Sequence, residues 1–427
     1  MTDNLISVTL IIKLPAFFNS LGGALMNFLP RLLEKKITEV LKLKKSILLL
    51  GPRQTGKTTL IDRISTQKRF TLANPRNRIR YEKDPTLLTS EVEQIAEENT
   101  NILPLIIIDE IQKLPILLDA IQDLIDRKVA KFILTGSSAK KLKRGKDVNL
   151  LPGRVIRLRL DPLMQPELMN INYSLDSILL DGSLPEIVLL ENTAERELLL
   201  DSYVTIYLEE EIRAEAIVRD LGHFARFLEL AASESGKVVN FSKLSQEIGV
   251  AHSTIASYYQ ILEDCLVAER IEPIIKSKIR RKLSKTQKYI LYDLGVRRVA
   301  AREGRSLSRE QMGHLLEQYI GLEILRMLRL LGTRMTLKYW RDPAGPEVDW
   351  IIDASDIYIP IEVKWTDSPN NNDFKHLQIF LNEYSEAKYG FIICQTPHMM
   401  KLTSNIYAIP WNRLNEIFEL NGISLGF

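Results

Sequence analysis

Residues 51–58 read Gly-Pro-Arg-Gln-Thr-Gly-Lys-Thr, a complete G-x-x-x-x-G-K-[ST] phosphate-binding loop. The residue types dictate its chemistry. Gly51 and Gly56 let the backbone approach closely, main-chain N–H groups converge on phosphate oxygens, Lys57 reaches the β- and γ-phosphates, and the Thr58 hydroxyl ligates Mg²⁺. The apolar run Ile47–Leu50 suits a buried strand, and Leu60, Ile61 and Ile64 recur at helical spacing. Strand, turn and helix in that order imply nucleoside triphosphate binding. The expected ATP contacts are Gly51, Pro52, Arg53, Gln54, Thr55, Gly56, Lys57, Thr58 and Thr59.

A second element supplies carboxylates. Leu105–Ile108 is a buried strand ending in Asp109-Glu110. Asp109 is expected to hold the metal and Glu110 to act as general base on the attacking water. A third strand, Phe132–Thr135, ends in Gly136-Ser137-Ser138. Either Ser137 or Ser138 suits a γ-phosphate sensor, and the alternatives stay open. Arg154, in Pro152-Gly153-Arg154, stands in order where a charge-stabilising arginine finger is expected. The competing reading is a surface arginine that closes a turn.

The C-terminal third carries another constellation. Glu317 sits on an amphipathic helix near 309–331, Asp349 lies in Glu347–Ile352, and Ile359–Lys364 places Glu362 and Lys364 on one strand face. An acid followed by Glu-x-Lys is the pattern of Mg²⁺-dependent nucleases of restriction-endonuclease type. Asp349 and Glu362 would hold the metal, Lys364 would orient or deprotonate water, and Glu317 would support them. The alternative is a nuclease-like scaffold whose carboxylates are structural.

Between these regions, residues 237–292 have the order of a winged helix. Phe241, Leu244 and Ile248 mark one helix, Gly249-Val250 the turn, and Ser253–Leu262 a second helix whose Ser253 and Thr254 would face a DNA groove. Lys276, Lys278, Arg280, Arg281, Lys282, Lys285 and Lys288 then fall in a short stretch without an acid, between two apolar strand candidates. A basic hairpin tip suits phosphate contacts. Packing alone is the rival explanation.

These residues need elements to hold them, and the chain is long enough to supply several. Its 427 residues carry a net charge of only +3, so any basic surface is local. The two cysteines, Cys265 and Cys394, sit in apolar settings, which suits reduced thiols in a cytoplasmic protein. The five histidines are scattered and form no metal pattern. Residues 29–44 read as a helix with Pro30 in its first turn. The expected fold is α/β. An apolar extension over 1–28 is followed by a P-loop NTPase domain with a parallel sheet at 29–165 and a helical connector at 166–236. A winged helix at 237–305 and a restriction-endonuclease-like α/β domain at 306–427 complete the chain. Residues 1–25 are apolar but interrupted by Lys13, Pro15 and Gly22-Gly23, so no membrane anchor is expected. Either Met26 is the natural start or this stretch is an extra apolar element.

In order and spacing, several motifs resemble a widespread bacterial and archaeal family of AAA-like ATPases with a C-terminal domain of restriction-endonuclease type. They are Phe28-Leu29-Pro30-Arg31, GPRQTGKTT at 51–59, IIIDEIQKLP at 106–115, LTGSS at 134–138, PGR at 152–154, Gly182–Glu186, the helix-turn-helix, and EVDWII with PIEVK. The resemblance covers residue 28 onward. It implies the three domains above and a function that is poorly defined across the family. DNA is the expected partner from the basic segment beside the helix-turn-helix, and a homo-oligomer is the expected assembly. Two departures stand out: Glu210-Glu211 replace an Arg-Asp pair usual in the family, and Asn74 lies near the place of a usual aspartate.

Overall fold

The computed structural model describes residues 28–99, 102–137, 151, 153–169, 171, 173–208, 220–275, 286–342 and 345–425. Readings that fall on residues 1–27, on Ser138, on Glu210-Glu211, or on the basic positions Lys276, Lys278, Arg280, Arg281, Lys282 and Lys285 lie outside them.

The first sheet comprises β1 (Ser46–Leu50), β2 (Lys68–Thr71), β3 (Leu105–Asp109), β4 (Lys131–Gly136) and β5 (Val155–Arg159), in the order β2-β3-β4-β1-β5. All four pairings are parallel. β1 and β3 are buried along their whole length, as near-continuous apolar runs covered on both faces must be. Because every strand points the same way, the phosphate loop after Leu50, the acids after Ile108 and the polar end of β4 gather at one edge of the sheet.

The helix α1 (Leu33–Lys42) buries Leu33, Ile37 and Val40. It begins later than its apolar spacing suggests. Pro30 precedes it and Arg31 turns inward, where its guanidinium donates to the Thr55 carbonyl at 2.6 Å and the Asp161 carbonyl at 2.7 Å.

The second sheet has eight strands: β6 (Ala268–Pro273), β7 (Lys288–Leu291), β8 (Thr336–Arg341), β9 (Glu347–Asp353), β10 (Tyr358–Val363), β11 (Gly390–Cys394), β12 (Met400–Lys401) and β13 (Ile406–Pro410). Their order is β12-β13-β11-β10-β9-β8-β6-β7. The β6–β7 hairpin is the expected one, but it does not stand apart. β6 pairs in parallel with β8 through Glu272–Lys338 and Pro273–Tyr339, so the hairpin extends the C-terminal sheet.

The long helix Arg309–Leu331 crosses that sheet, packing Leu316, Tyr319 and Ile320 in one core with Trp350, Ile352 and Ile361. A Cβ at Gly321 would lie 2.8 Å from the Trp350 ring, so glycine there lets the indole lie against the helix. Before the hairpin, the helices Phe241–Ile248 and His252–Asp264 are joined through Gly249 at φ +82°, and Asn240 caps the first by accepting from Lys243 N–H. The turn needs a left-handed residue, which glycine supplies without strain.

Candidate functional site

At the C-terminal edge of the first sheet, Gly56 adopts φ +87° and hands the chain to α2 (Lys57–Ile61). A Cβ on Gly51 would sit 2.3 Å from the Leu160 carbonyl oxygen, so only glycine fits beside the end of β5. Lys57 is buried, and its Nζ donates to the carbonyls of Gly51 and Pro52, each at 2.7 Å. Thr55 is buried and hydrogen-bonds the Pro52 carbonyl, while Arg53, Gln54, Thr58 and Thr59 are exposed. The loop is also held from outside: Arg31 takes the Thr55 carbonyl, and Tyr203 Oη lies 3.5 Å from the Arg53 carbonyl.

Asp109 ends β3 and Glu110 follows it, at the same edge of the parallel sheet as this loop. One Asp109 oxygen accepts from the Thr135 hydroxyl, and the other from Arg69 at 2.8 Å. Arg69 also pairs with Asp62, beyond the end of α2. Thr58 and Asp109 offer hard oxygen donors of the kind Mg²⁺ takes. The Thr135 hydroxyl also accepts the Glu110 N–H at 3.1 Å. Ser137 is buried, 3.1 Å from Gln112 Nε2. Arg154 stands elsewhere. β1 and β5 run in register from Ser46–Val155 to Leu50–Arg159. Arg154, just before β5, is therefore level with the residue before Ser46 and roughly 20 Å of strand away from its own phosphate loop, at about 3.3 Å per residue. It forms a two-pronged pair with Asp126 at 2.7 and 2.9 Å.

The residues of the second constellation lie on the long helix, β9 and the end of β10. Glu362 and Asp349 are buried on adjacent strands. Asp349 accepts the Val363 N–H at 2.8 Å, and Lys364 Nζ pairs with Glu362 at 2.7 Å. Trp350 Nε1 donates to the Glu317 carbonyl at 3.0 Å, fixing the helix against β9. Burial, followed by the charge of Glu317, pushes Asp349 up to about 6. Burial and Asp349 push Glu362 well above the usual carboxylate range. Burial also raises Glu317, but Lys288 and His314 outweigh it and hold that acid below its ordinary value.

Lys288 is a correction. Counted in the sequence with an exposed basic tip, it is buried, 3.2 Å from Glu317 and 5.0 Å from the ring centres of Tyr339 and Trp350. β7 carries it into the carboxylates because the hairpin joins the sheet, a pairing that no local pattern announces. Arg31, Gln112 and Thr135 fall within quoted motifs but received no individual role, and Arg69 was not singled out, since a lone arginine or a polar strand end has no periodic signature. Among the described residues, no group of three His, Cys, Asp or Glu side chains is placed to hold a metal ion. Ser253 is exposed and Thr254 half-buried in the first turn of His252–Asp264.

Comparison with known proteins gives this geometry a class. Residues 43–169 match the family described as an AAA domain, and residues 172–306 and 312–414 match two families each described as a domain of unknown function. Uncharacterised proteins of Mycobacterium bovis and Mycobacterium tuberculosis are each 26% identical over 374 residues, spanning 86% of this chain and 80% of the relative. Among solved structures, Cdc6p of Pyrobaculum aerophilum has 14% identity and a TM-score of 0.26, with 65% of this chain and 96% of that chain covered. The DNA clamp loader delta protein of Bacillus subtilis has 11% identity and a TM-score of 0.25, with 54% and 87% covered. The first sheet and its loop thus form an AAA domain of P-loop type, and the protein is an ATPase. Among the described residues, no helix is long and apolar enough to cross a membrane.

Proposed function

We propose that this ATPase is Mg²⁺-dependent and acts on DNA, and that residues 306–427 carry a nuclease site of restriction-endonuclease type. At the ATP site, Lys57 and the loop amides hold the polyphosphate, Thr58 and Asp109 would hold Mg²⁺, and Glu110 takes the proton of the attacking water. The cation, when bound, neutralises charge on the transferred phosphoryl group. Arg154 lies far from its own loop, so the finger role we assign it is toward the nucleotide of a second copy in a homo-oligomer. Residues 237–305 act as the winged helix, with Ser253 and Thr254 facing the duplex and the basic segment contacting phosphates.

One observation carries the nuclease reading. Glu362 and Asp349 are buried against each other, close enough to share a proton, and no donor from another described side chain reaches Glu362 Oε1. Two buried acids held together carry a charge cost, and a hard cation taking the place of the shared proton would relieve it. Asp349 and Glu362 would be its ligands, Lys364 would steer water, and Glu317 would hold Lys288 and His314 at the rim.

A second reading also has support. Glu317 and Glu362 are each matched by a lysine, and no third metal-ligating group joins the pair among the described residues. That arrangement suits a nuclease-like fold kept as a scaffold for protein contacts in a regulatory NTPase. Incubating the protein with supercoiled, linear and branched DNA in Mg²⁺ or Mn²⁺ separates the two. The nuclease reading expects nicking that Lys364→Ala abolishes while DNA binding persists. No cleavage of any form leaves the scaffold. ATP turnover unaffected by DNA, with no duplex binding at low salt, removes the DNA reading altogether.

A further inference from the structure

We propose that Gln112 is a positioning residue for ATP hydrolysis, holding the Glu110 carboxylate and tying it to the end of β4. This rests on Glu110 as the general base. Gln112 lies in the short turn Ile111–Lys113 that follows Glu110, and its side chain is buried. Its Nε2 donates to Glu110 Oε2 at 2.6 Å and to Ser137 Oγ at 3.1 Å. A primary amide has two N–H bonds, so one nitrogen satisfies both. The reverse orientation would put the amide oxygen against the carboxylate, two acceptors in contact.

Three features indicate that this placement is built. Gly136 lies under the carboxamide: a Cβ there would be 2.8 Å from Gln112 Oε1, so the end of β4 is cut away to admit the amide. Glu110 itself adopts φ +62°, a strained region for a side-chain-bearing residue, and such strain persists only where surrounding contacts impose it. Those contacts are Thr135 on its N–H and Gln112 on its carboxylate. Finally, Gln112 Oε1 is buried without a partner among the described residues. Burying an unpaired amide oxygen is unfavourable, which suits a group retained for what its nitrogen does.

A general base contributes only when it is within reach of the water proton, and misplacement costs rate without affecting binding. Gln112 fixes one Glu110 oxygen, and the other is the one that would take the water proton. The same amide links the base to Ser137, so a shift of the β4 end is felt at Glu110.

The test is a double-mutant cycle on the full chain, reading single-turnover ATP hydrolysis and the affinity for a fluorescent ATP analogue. Gln112→Ala and Gln112→Met are expected to lower the hydrolytic rate by about 10–100-fold, part of the roughly 10²–10⁴ that a positioned base supplies, with affinity within about twofold. Methionine keeps the volume, so its matching loss assigns the effect to the lost N–H donors. On a Glu110→Gln background, Gln112→Ala should cost nothing further, because residues acting as a unit are not additive. A rate in Gln112→Ala near that of the parent overturns the proposal, as does a full additional loss on the Glu110→Gln background. If Glu110→Gln itself keeps full turnover, the base assignment fails and this role fails with it. A normal Gln112→Ala rate beside an inactive Glu110→Gln removes Gln112 alone.

Discussion

Asp349 shows how a single residue trades stability for chemistry. Its carboxyl is raised to about 6 from 3.8, first by burial and then by Glu317. The folded state therefore keeps a proton that the unfolded chain gives up, so stability falls as pH rises from about 4 to about 6 and stays reduced above that window. Asp349→Asn, which retains an acceptor for the Val363 N–H, is expected to raise stability at pH 7.5 in EDTA by about 1–3 kcal/mol, because each tenfold change in proton affinity is worth about 1.36 kcal/mol. The gain should fade below about pH 4. Denaturant melts at both pH values check this, and a loss of stability at pH 7.5 would mean the charge is well solvated. Positions were legible where spacing encodes them: the GK[ST] loop lies between β1 and α2, Asp109 ends β3, and Glu362 and Lys364 lie at the end of β10. Gln112 was not. Nothing in its local pattern says that Gly136, on another strand, leaves room for its amide.

At the scale of elements, the AAA sheet and the long helix Arg309–Leu331 are joined by buried charge. Arg329 pairs with Asp161, beyond β5, at 3.0 Å and with Glu269 of β6 at 2.5 Å, and Arg159 pairs with the same two acids. Burial would raise Asp161, but Arg329 and Arg159 outweigh it and hold it at about 2. Removing one partner strands the others. Arg329→Met is expected to cost about 2–4 kcal/mol, below the roughly 3–5 usual for a fully buried pair because Arg329 is partly exposed. The double variant Arg329→Met with Asp161→Asn should lose less than the sum of the two singles. Urea melts read both, and simple additivity would indicate that the charges do not interact. Strands and helices were largely readable from sequence, the amphipathic helices from period and capping and the central strands β1 and β3 as unbroken apolar runs buried on both faces. The join between β6 and β8 was not, because it contains only two residue pairs between distant segments. The hairpin therefore looked like an independent wing.

For the whole molecule, the ATPase should be most active when copies meet. Arg154 is too far along the sheet to serve its own nucleotide. Turnover per chain is thus expected to rise with protein concentration in the parent and to stay flat in Arg154→Ala, with a loss of about 10³-fold or more at the highest concentration if the finger is supplied by a neighbour. Equal concentration dependence in both proteins would return Arg154 to its surface pair with Asp126. All of this presupposes that the loop at 51–58 cradles a polyphosphate through Lys57 and the main chain. Nucleotide titration and steady-state turnover of Lys57→Ala beside the parent chain test that most directly. The account predicts ATP turnover at background, with affinity lowered by at least about tenfold for the lost ammonium–phosphate contact, worth about 1.4 kcal/mol per factor of ten. Parent-like affinity and turnover in Lys57→Ala would contradict it.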